Sequence, residues 1–215
     1  MPLVSAVFFD LDGTLVDSSA DISNAANVAL RWLGLPPRST PEVMAHVGRG
    51  ALQLLSSLTE RDPSTSPELQ EAVQIFIRHY EQEGAAATTL YPGVAWWLEQ
   101  LASLPLAVVS NKPVVLVEKT LDHLGLRGYF RQVLGGDSLP KKKPDPLPLL
   151  TTLQALGLQA TEVVMVGDSP MDIEAGQAAG TWTCGVSWGF GRPSPSKPHA
   201  YIDTPQQFFS TFQVC

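Results

Sequence analysis

Short unbroken apolar runs, each closed by polar residues, alternate along this chain with longer stretches whose apolar positions recur every three or four residues. The short runs fall at residues 6–9 (Ala-Val-Phe-Phe), 106–109, 132–134, 162–166, 182–186 and 201–202. Runs this short, rich in β-branched and aromatic residues and stopped by Asp, Gly or Ser, predict buried strands. Between residues 17 and 87 the period changes. Ile22, Ala25, Ala26, Ala29, Leu30 and Leu33 keep helical spacing, with 17–19 as N-cap candidates and Gly34, Pro36 and Pro37 as the stop. Ser39-Thr40-Pro41-Glu42 predicts a second helix start, ending by Gly48-Arg49-Gly50. Residues 51–58 predict a short third helix. Pro67 opens a fourth, through Leu69, Val73, Phe76, Ile77 and Tyr80, that ends near Gly84. No strand is expected in this stretch.

Beyond residue 90, predicted helices over 92–104, 113–125, up to about Leu156 and up to Gly180 separate the strands, and Thr204-Pro205 opens a last one. Buried strands alternating with helices predict a Rossmann-like, doubly wound α/β fold, a parallel sheet covered on both faces with right-handed crossovers. The all-helical stretch enters after the first strand. The expected division is an α/β core over 1–16 and 88–215, with a helical insert over 17–87.

Composition narrows the class. In 215 residues, 44% hydrophobic and 16% charged content is enough for a real core. A net charge of −7, from 14 basic and 21 acidic residues, argues against nucleic acid or an anionic membrane as the main partner. Cys184 and Cys215 make neither a disulfide framework nor a zinc spacing. No secretory signal pattern is present, and no apolar run approaches the ~20 residues of a membrane span. A soluble, cytoplasmic monomer or homodimer acting on a small molecule is the expectation.

In open α/β sheets, ligands bind beyond the carboxyl ends of the strands. Three strand ends here are polar: Asp10 with Asp12, Ser110-Asn111-Lys112, and Asp168 with Asp172 one turn later. Residues i and i+2 of a strand share a face, so Asp10 and Asp12 can point into one pocket. Gly13 lets the backbone turn away there. Parallel strands would gather all three tips on one rim, beside the basic loop Lys141-Lys142-Lys143-Pro144. Clustered carboxylates repel one another unless a cation neutralises them. An all-oxygen donor set suits a hard cation such as Mg²⁺. A cation facing Ser110 and Lys143 suits a phosphate. A carboxylate in that setting can be a covalent nucleophile, and a second acid two residues on can protonate the leaving oxygen and later activate water.

Four stretches then match a known pattern in order and spacing. Asp10-x-Asp12-Gly13-Thr14, the apolar run into Ser110, Lys143-Pro144-x-Pro146 and Gly167-Asp168-Ser169-x-x-Asp172 resemble the motifs of the haloacid dehalogenase superfamily. The helical insert resembles that superfamily's first type of cap. The resemblance implies an aspartyl-phosphate phosphatase. Asp10 would be the nucleophile and a Mg²⁺ ligand, and Asp12 the general acid/base, lending its backbone carbonyl to the metal. Asp168 would be the third protein ligand and Asp172 an outer or secondary one. Ser110 would bind the transferring phosphoryl group, Lys143 would hold nucleophile and phosphate together, and Thr14 and Asn111 would assist. The second Asp, at position 12, resembles the phosphatases rather than the dehalogenases proper. Residues 8–18, 47–50, 91–94 and 110–113 are similar to phosphoglycolate phosphatases. The same stretches occur in β-phosphoglucomutases and N-acetylmuramate 6-phosphate phosphatases, so a β-phosphoglucomutase-like isomerase and another small sugar-phosphate phosphatase stay open. A phosphate-ester sensor that has lost catalysis is the non-enzymatic alternative.

The remaining polar and aromatic residues read more plainly. Lys141 and Lys142 belong to a solvated charge run. Arg49 can read a substrate carboxylate from the insert or stand as a surface cation at a helix end, and both readings stay open. Trp96, Trp97, Trp182 and Trp188 are expected to pack. His46, His79, His123 and His199 show no metal spacing, and Cys184 is expected as a small buried apolar residue. The loop at 189–198 maps to no role.

Overall fold

The computed structural model describes residues 1–83, 85–191 and 196–214. Gly84, residues 192–195 of the 189–198 loop, and Cys215 lie outside the described residues. In chain order the elements are β1 Leu3–Val4, β2 Ala6–Phe9 and β3 Val16–Asp17, then α1 Ser19–Trp32, α2 Thr40–Met44, α3 Ala51–Thr59 and α4 Pro67–Glu83. Next come β4 Thr89–Leu90, α5 Val94–Gln100, β5 Leu106–Val109, α6 Val114–His123, β6 Phe130–Leu134 and α7 Leu147–Leu156. The chain closes with β7 Val163–Gly167, α8 Pro170–Ala179, β8 Trp182–Val186, β9 Ala200–Ile202, α9 Phe208–Thr211 and β10 Gln213–Val214.

Six strands form one parallel sheet in the order β6-β5-β2-β7-β8-β9. The chain winds outward from β2 to β6, then returns to β2's other side as β7, so the winding reverses around β2. Ligand crevices form at such a reversal. The unbroken apolar runs are explained by burial on both faces. Val7 and Phe9 of β2, Leu106 and Val108 of β5, and Val164 and Val166 of β7 join one apolar cluster with Trp97, Leu98 and Phe208. Their alternates, Ala6, Phe8, Ala107, Val109, Val163 and Met165, join a second cluster under α7 and α8. Successive strand side chains point to opposite faces, so each run fills both layers.

Helices α1, α3 and α4 bury a separate apolar cluster that includes Ala26, Leu30, Leu55, Leu69 and Phe76. Leu116 of α6 also belongs to it, which ties the insert to the sheet's covering layer. Two minor pairings have no counterpart in the hydrophobic pattern. β3 and β4 form an antiparallel ribbon in which Asp17 faces Thr89, so the two passes between sheet and insert run side by side. β1 and β10 pair in parallel near the termini. Two-residue strands are too short for any period to register. The helix expected over 92–104 is confined to α5, because Gly93 adopts φ +84° and the turn ends at Leu101. The last helix begins as a 3₁₀ turn at Pro205–Gln207. Among the described residues no helix is long and apolar enough to cross a membrane.

Candidate active site

β2 delivers Asp10 to the carboxyl end of the sheet, and the chain then folds into a tight loop. The Leu11 carbonyl accepts the N–H groups of Thr14, Leu15 and Val16 at 3.2, 2.9 and 3.1 Å. Gly13 sits at φ +87°, and a Cβ built there would lie 2.3 Å from Asp168 Oδ2. A side chain at this position would therefore be strained and would also strike a carboxylate.

Lys143 is the centre of the charged cluster. Its ammonium donates to Asp10 Oδ1 at 2.9 Å, to Asp172 Oδ1 at 2.6 Å and to the Val109 carbonyl, and the residue is 2% exposed. Three acceptors meet three N–H donors. Burial disfavours its charge, yet Asp10 and Asp172 outweigh that and hold its affinity for the proton above the ordinary lysine range. Asp172 is fully buried. Its other oxygen takes the Ser169 backbone N–H at 3.0 Å and hydroxyl at 2.7 Å, capping α8. Both Asp172 oxygens are thus bonded to protein groups.

Asp168, at the tip of β7, is held by the backbone amides of Phe190 and Gly191 at 2.8 and 2.7 Å on Oδ2. The Thr14 hydroxyl reaches its Oδ1 at 3.3 Å. Oxygens of Asp10, Asp168 and Asp172 lie within 4.8 Å of one another. Burial, then the neighbouring carboxylates Asp172 and Asp10, push the Asp168 carboxyl up to about 8. Burial pushes Asp10 up to about 6 against the pull of Lys143. Carboxylates that resist ionisation here are what a divalent cation would relieve, and an all-oxygen set fits Mg²⁺. Asp10 and Asp168 have the disposition to hold it.

Asp12 turns the other way. Its Oδ1 accepts the Ser18 hydroxyl at 2.6 Å and the Lys112 ammonium at 2.9 Å. Lys112 also donates to the Tyr80 hydroxyl at 2.8 Å, with its nitrogen 4.1 Å from the ring centre. The sequence marks Lys112 only as part of the polar tip Ser110-Asn111-Lys112 and Tyr80 only as an apolar position of the fourth helix, and assigns neither a role. The Ser18 hydroxyl, expected to cap the first helix, makes no cap hydrogen bond and is spent on Asp12.

The other expected groups divide. Ser110, 5% exposed, lines the cavity, and no acceptor among the described residues takes its proton. Asn111 donates its amide to the carbonyls of Gly48 and Lys143 at 2.9 and 2.8 Å, so it splices insert, β5 tip and lysine loop. Thr14 is fully buried behind Asp168 and does not line the cavity. Arg49 is exposed and is not among the cavity's lining residues. Its neighbours Gly48 and Gly50 reach the cavity instead, because the glycine turn presents backbone inward. Lys141 is exposed and pairs with Asp145 at 2.9 Å. Trp97 packs edge-on to Phe9 at 5.1 Å, and Cys184 is fully buried. The cavity itself is about 60 Å³, with Asp10, Asp12 and Ser110 on the sheet side and Ile22, Leu54 and Phe76 on the helical side.

Residues 7–186 match the family model of the haloacid dehalogenase-like hydrolases. A phosphoglycolate phosphatase of Chromobacterium violaceum is 42% identical over 192 residues, covering 87% of this chain and 86% of its own length. One from Aquifex aeolicus is 39% identical over 201 residues, covering 93% and 92%. The solved structure of a predicted phosphoglycolate phosphatase from Haemophilus somnus 129PT superposes with a TM-score of 0.87 at 33% identity, over 96% of this chain and 97% of that one.

Proposed function

The chain belongs to the haloacid dehalogenase-like hydrolase family and is a phosphatase, and from that premise we propose that it hydrolyses 2-phosphoglycolate to glycolate and phosphate with Asp10 as nucleophile. The observation that carries the mechanism is the buried Asp10 carboxylate held at 2.9 Å from the Lys143 ammonium, beside Asp168. Asp10 attacks the phosphorus through the oxygen not bonded to Lys143. Asp12 gives its proton to the leaving oxygen and then takes one from the water that hydrolyses the aspartyl-phosphate. The Ser110 hydroxyl donates to a phosphoryl oxygen. Lys143 balances the charge of nucleophile and phosphoryl group, and Asp172 keeps the ammonium in place. Asp10, Asp168 and the backbone carbonyl of Asp12 would hold Mg²⁺, which would supply charge neutralisation for the phosphoryl oxygens and the carboxylates. Residues 17–87 act as a cap whose closure excludes water.

The substrate reading rests on the names of the relatives and on size. A cavity of about 60 Å³ suits a small acid ester. The test is phosphate release by purified protein with Mg²⁺ across small phosphomonoesters, with Asp10→Asn as control. Fastest turnover of 2-phosphoglycolate, abolished in the variant, is expected. Preference for a sugar phosphate would overturn the substrate, and an active Asp10→Asn would overturn the mechanism.

A further inference from the structure

Asp12 is gripped by one oxygen only. The Ser18 hydroxyl and the Lys112 ammonium both converge on Oδ1, at 2.6 and 2.9 Å, and among the described residues no donor reaches Oδ2. Asp12 lines the cavity, so Oδ2 is the oxygen left for a reacting group. A carboxylate without such an anchor can rotate about its last bond and exchange its two oxygens.

Lys112 comes to this contact from a defined place. It is 7% exposed and follows the β5 tip. Its second bond, 2.8 Å to the Tyr80 hydroxyl, crosses to α4 of the helical insert, and its nitrogen lies 4.1 Å from the centre of that ring. Tyr80 is 1% exposed. Its hydroxyl lies 3.5 Å from Thr88 Oγ1, which donates to Asp21 of α1 at 2.6 Å. A buried ammonium is costly unless its N–H groups are satisfied. One of its acceptors belongs to the sheet's rim and the other to the insert. Its position is therefore defined only while the two parts are together.

We infer that Lys112 is the positioning residue of the acid/base step. It pins Asp12 Oδ1, reserves Oδ2 for the proton, and takes its own position from Tyr80, so Asp12 is aligned only when the insert covers the site. This rests on the phosphatase mechanism above. In that step the proton leaves Asp12 Oδ2 for the ester oxygen as the P–O bond breaks and the Asp10–phosphorus bond forms. An alkoxide needs that proton to depart, whereas p-nitrophenolate departs readily as an anion.

Leaving-group dependence separates this role from a merely structural one. The quantity to measure is kcat/KM, which reports the first phosphoryl transfer and not the later attack of water. Wild type, Lys112→Met and Tyr80→Phe are compared on p-nitrophenyl phosphate and on the alkyl phosphate that wild type turns over fastest. Acid catalysis contributes on the order of 10²–10⁴-fold, so misaligning the acid is expected to lower kcat/KM for the alkyl ester roughly 30-fold in Lys112→Met and less than about 5-fold for the aryl ester. Tyr80→Phe keeps the ring and loses the hydroxyl, and should shift both values in the same sense by a smaller factor. If Lys112→Met fails to fold, as thermal unfolding will tell, Tyr80→Phe carries the test by the same criterion. Proportional losses on the two substrates, or no loss, overturn the inference. A wild-type protein inert on every phosphate ester would instead overturn the phosphatase reading.

Discussion

The two walls of the cavity are built on opposite terms. On the sheet wall each charged group has a fixed bond: Lys143 to Asp10 and Asp172, Lys112 to Asp12, and the Phe190 and Gly191 amides to Asp168. The helical wall offers Ile22, Leu54 and Phe76, side chains with no hydrogen bond to give. The first wall can hold a phosphoryl group in one orientation because its own groups have few alternatives. The apolar side chains of the second sort esters by shape and size. Chemistry and selectivity are thereby separable, and substitutions on the two walls should fail in different ways.

The sharpest break comes at Lys143. Lys143→Met keeps the length of the side chain but leaves Asp10 and Asp172 facing each other in a buried site. Removing one partner of a buried ion pair costs about 3–5 kcal/mol. Loss of the cation should also lower kcat by on the order of 10²–10³-fold, the scale seen for one preorganised donor. Phosphate-release kinetics and denaturant unfolding check the two effects. An active, fully stable Lys143→Met would remove the distinction between the walls.

The sequence was legible where chemistry is local to a strand end. Asp10 and Ser110 directly follow an apolar run and Asp168 follows one after Gly167, and parallel pairing of those runs is enough to collect them. Lys143 was legible through Pro144, not through the triple lysine. What stayed hidden was longer in reach or had no residue type. The amides that hold Asp168 come from Phe190 and Gly191, and backbone donors leave no signature. Lys112 meets its partners 100 residues away at Asp12 and 32 away at Tyr80, on an element with its own period. Arg49 stayed open between its two readings because a glycine turn does not encode which way a side chain leaves it.

Protons and cations should sharpen the charged wall alone. Without metal, burial and the clustered carboxylates raise Asp168 to about 8 and Asp10 to about 6, above their unfolded value of 3.8. The folded state then binds more protons than the unfolded one, so these groups favour folding less as pH rises. Between pH 6 and pH 8 the change falls mainly on Asp168. Asp62 and Asp145, whose hydrogen bonds hold them low, are already ionised in both states there. Chelator-treated protein should therefore lose Tm from pH 6 to pH 8, at about 2–4 °C per kcal/mol in a chain of this size. Added Mg²⁺ should raise Tm more at pH 8 than at pH 6, because protons compete with the cation. A Mg²⁺ effect independent of pH would mean the cation does not sit on these carboxylates.

On the helical wall the effects shrink and change character. Leu54 is 4% exposed with its side chain at the cavity. Leu54→Ala widens the site without touching a charged group. Missing apolar contact is worth about 1–3 kcal/mol, so kcat/KM for the smallest esters should fall about 10-fold, with bulkier esters gaining relative to them. Undiminished discrimination in a substrate panel would show that the wall does not sort by size.

Arg49 marks the outer limit of that wall. It sits between Gly48 and Gly50, both of which line the cavity, yet its own side chain is exposed and does not. Gly50 comes so close to the sheet side that a Cβ there would lie 2.9 Å from the Asn111 carbonyl, and the Asn111 amide is bonded to the Gly48 carbonyl at 2.9 Å. Arg49→Ala should change kcat and KM by less than about 2-fold and stability by under about 0.5 kcal/mol, as for other exposed positions. A KM raised 10-fold or more for 2-phosphoglycolate, with no change for p-nitrophenyl phosphate, would mean that Arg49 swings inward to take the substrate carboxylate. The helical wall would then recognise charge as well as size, and the contrast with the sheet wall would narrow to a difference of degree.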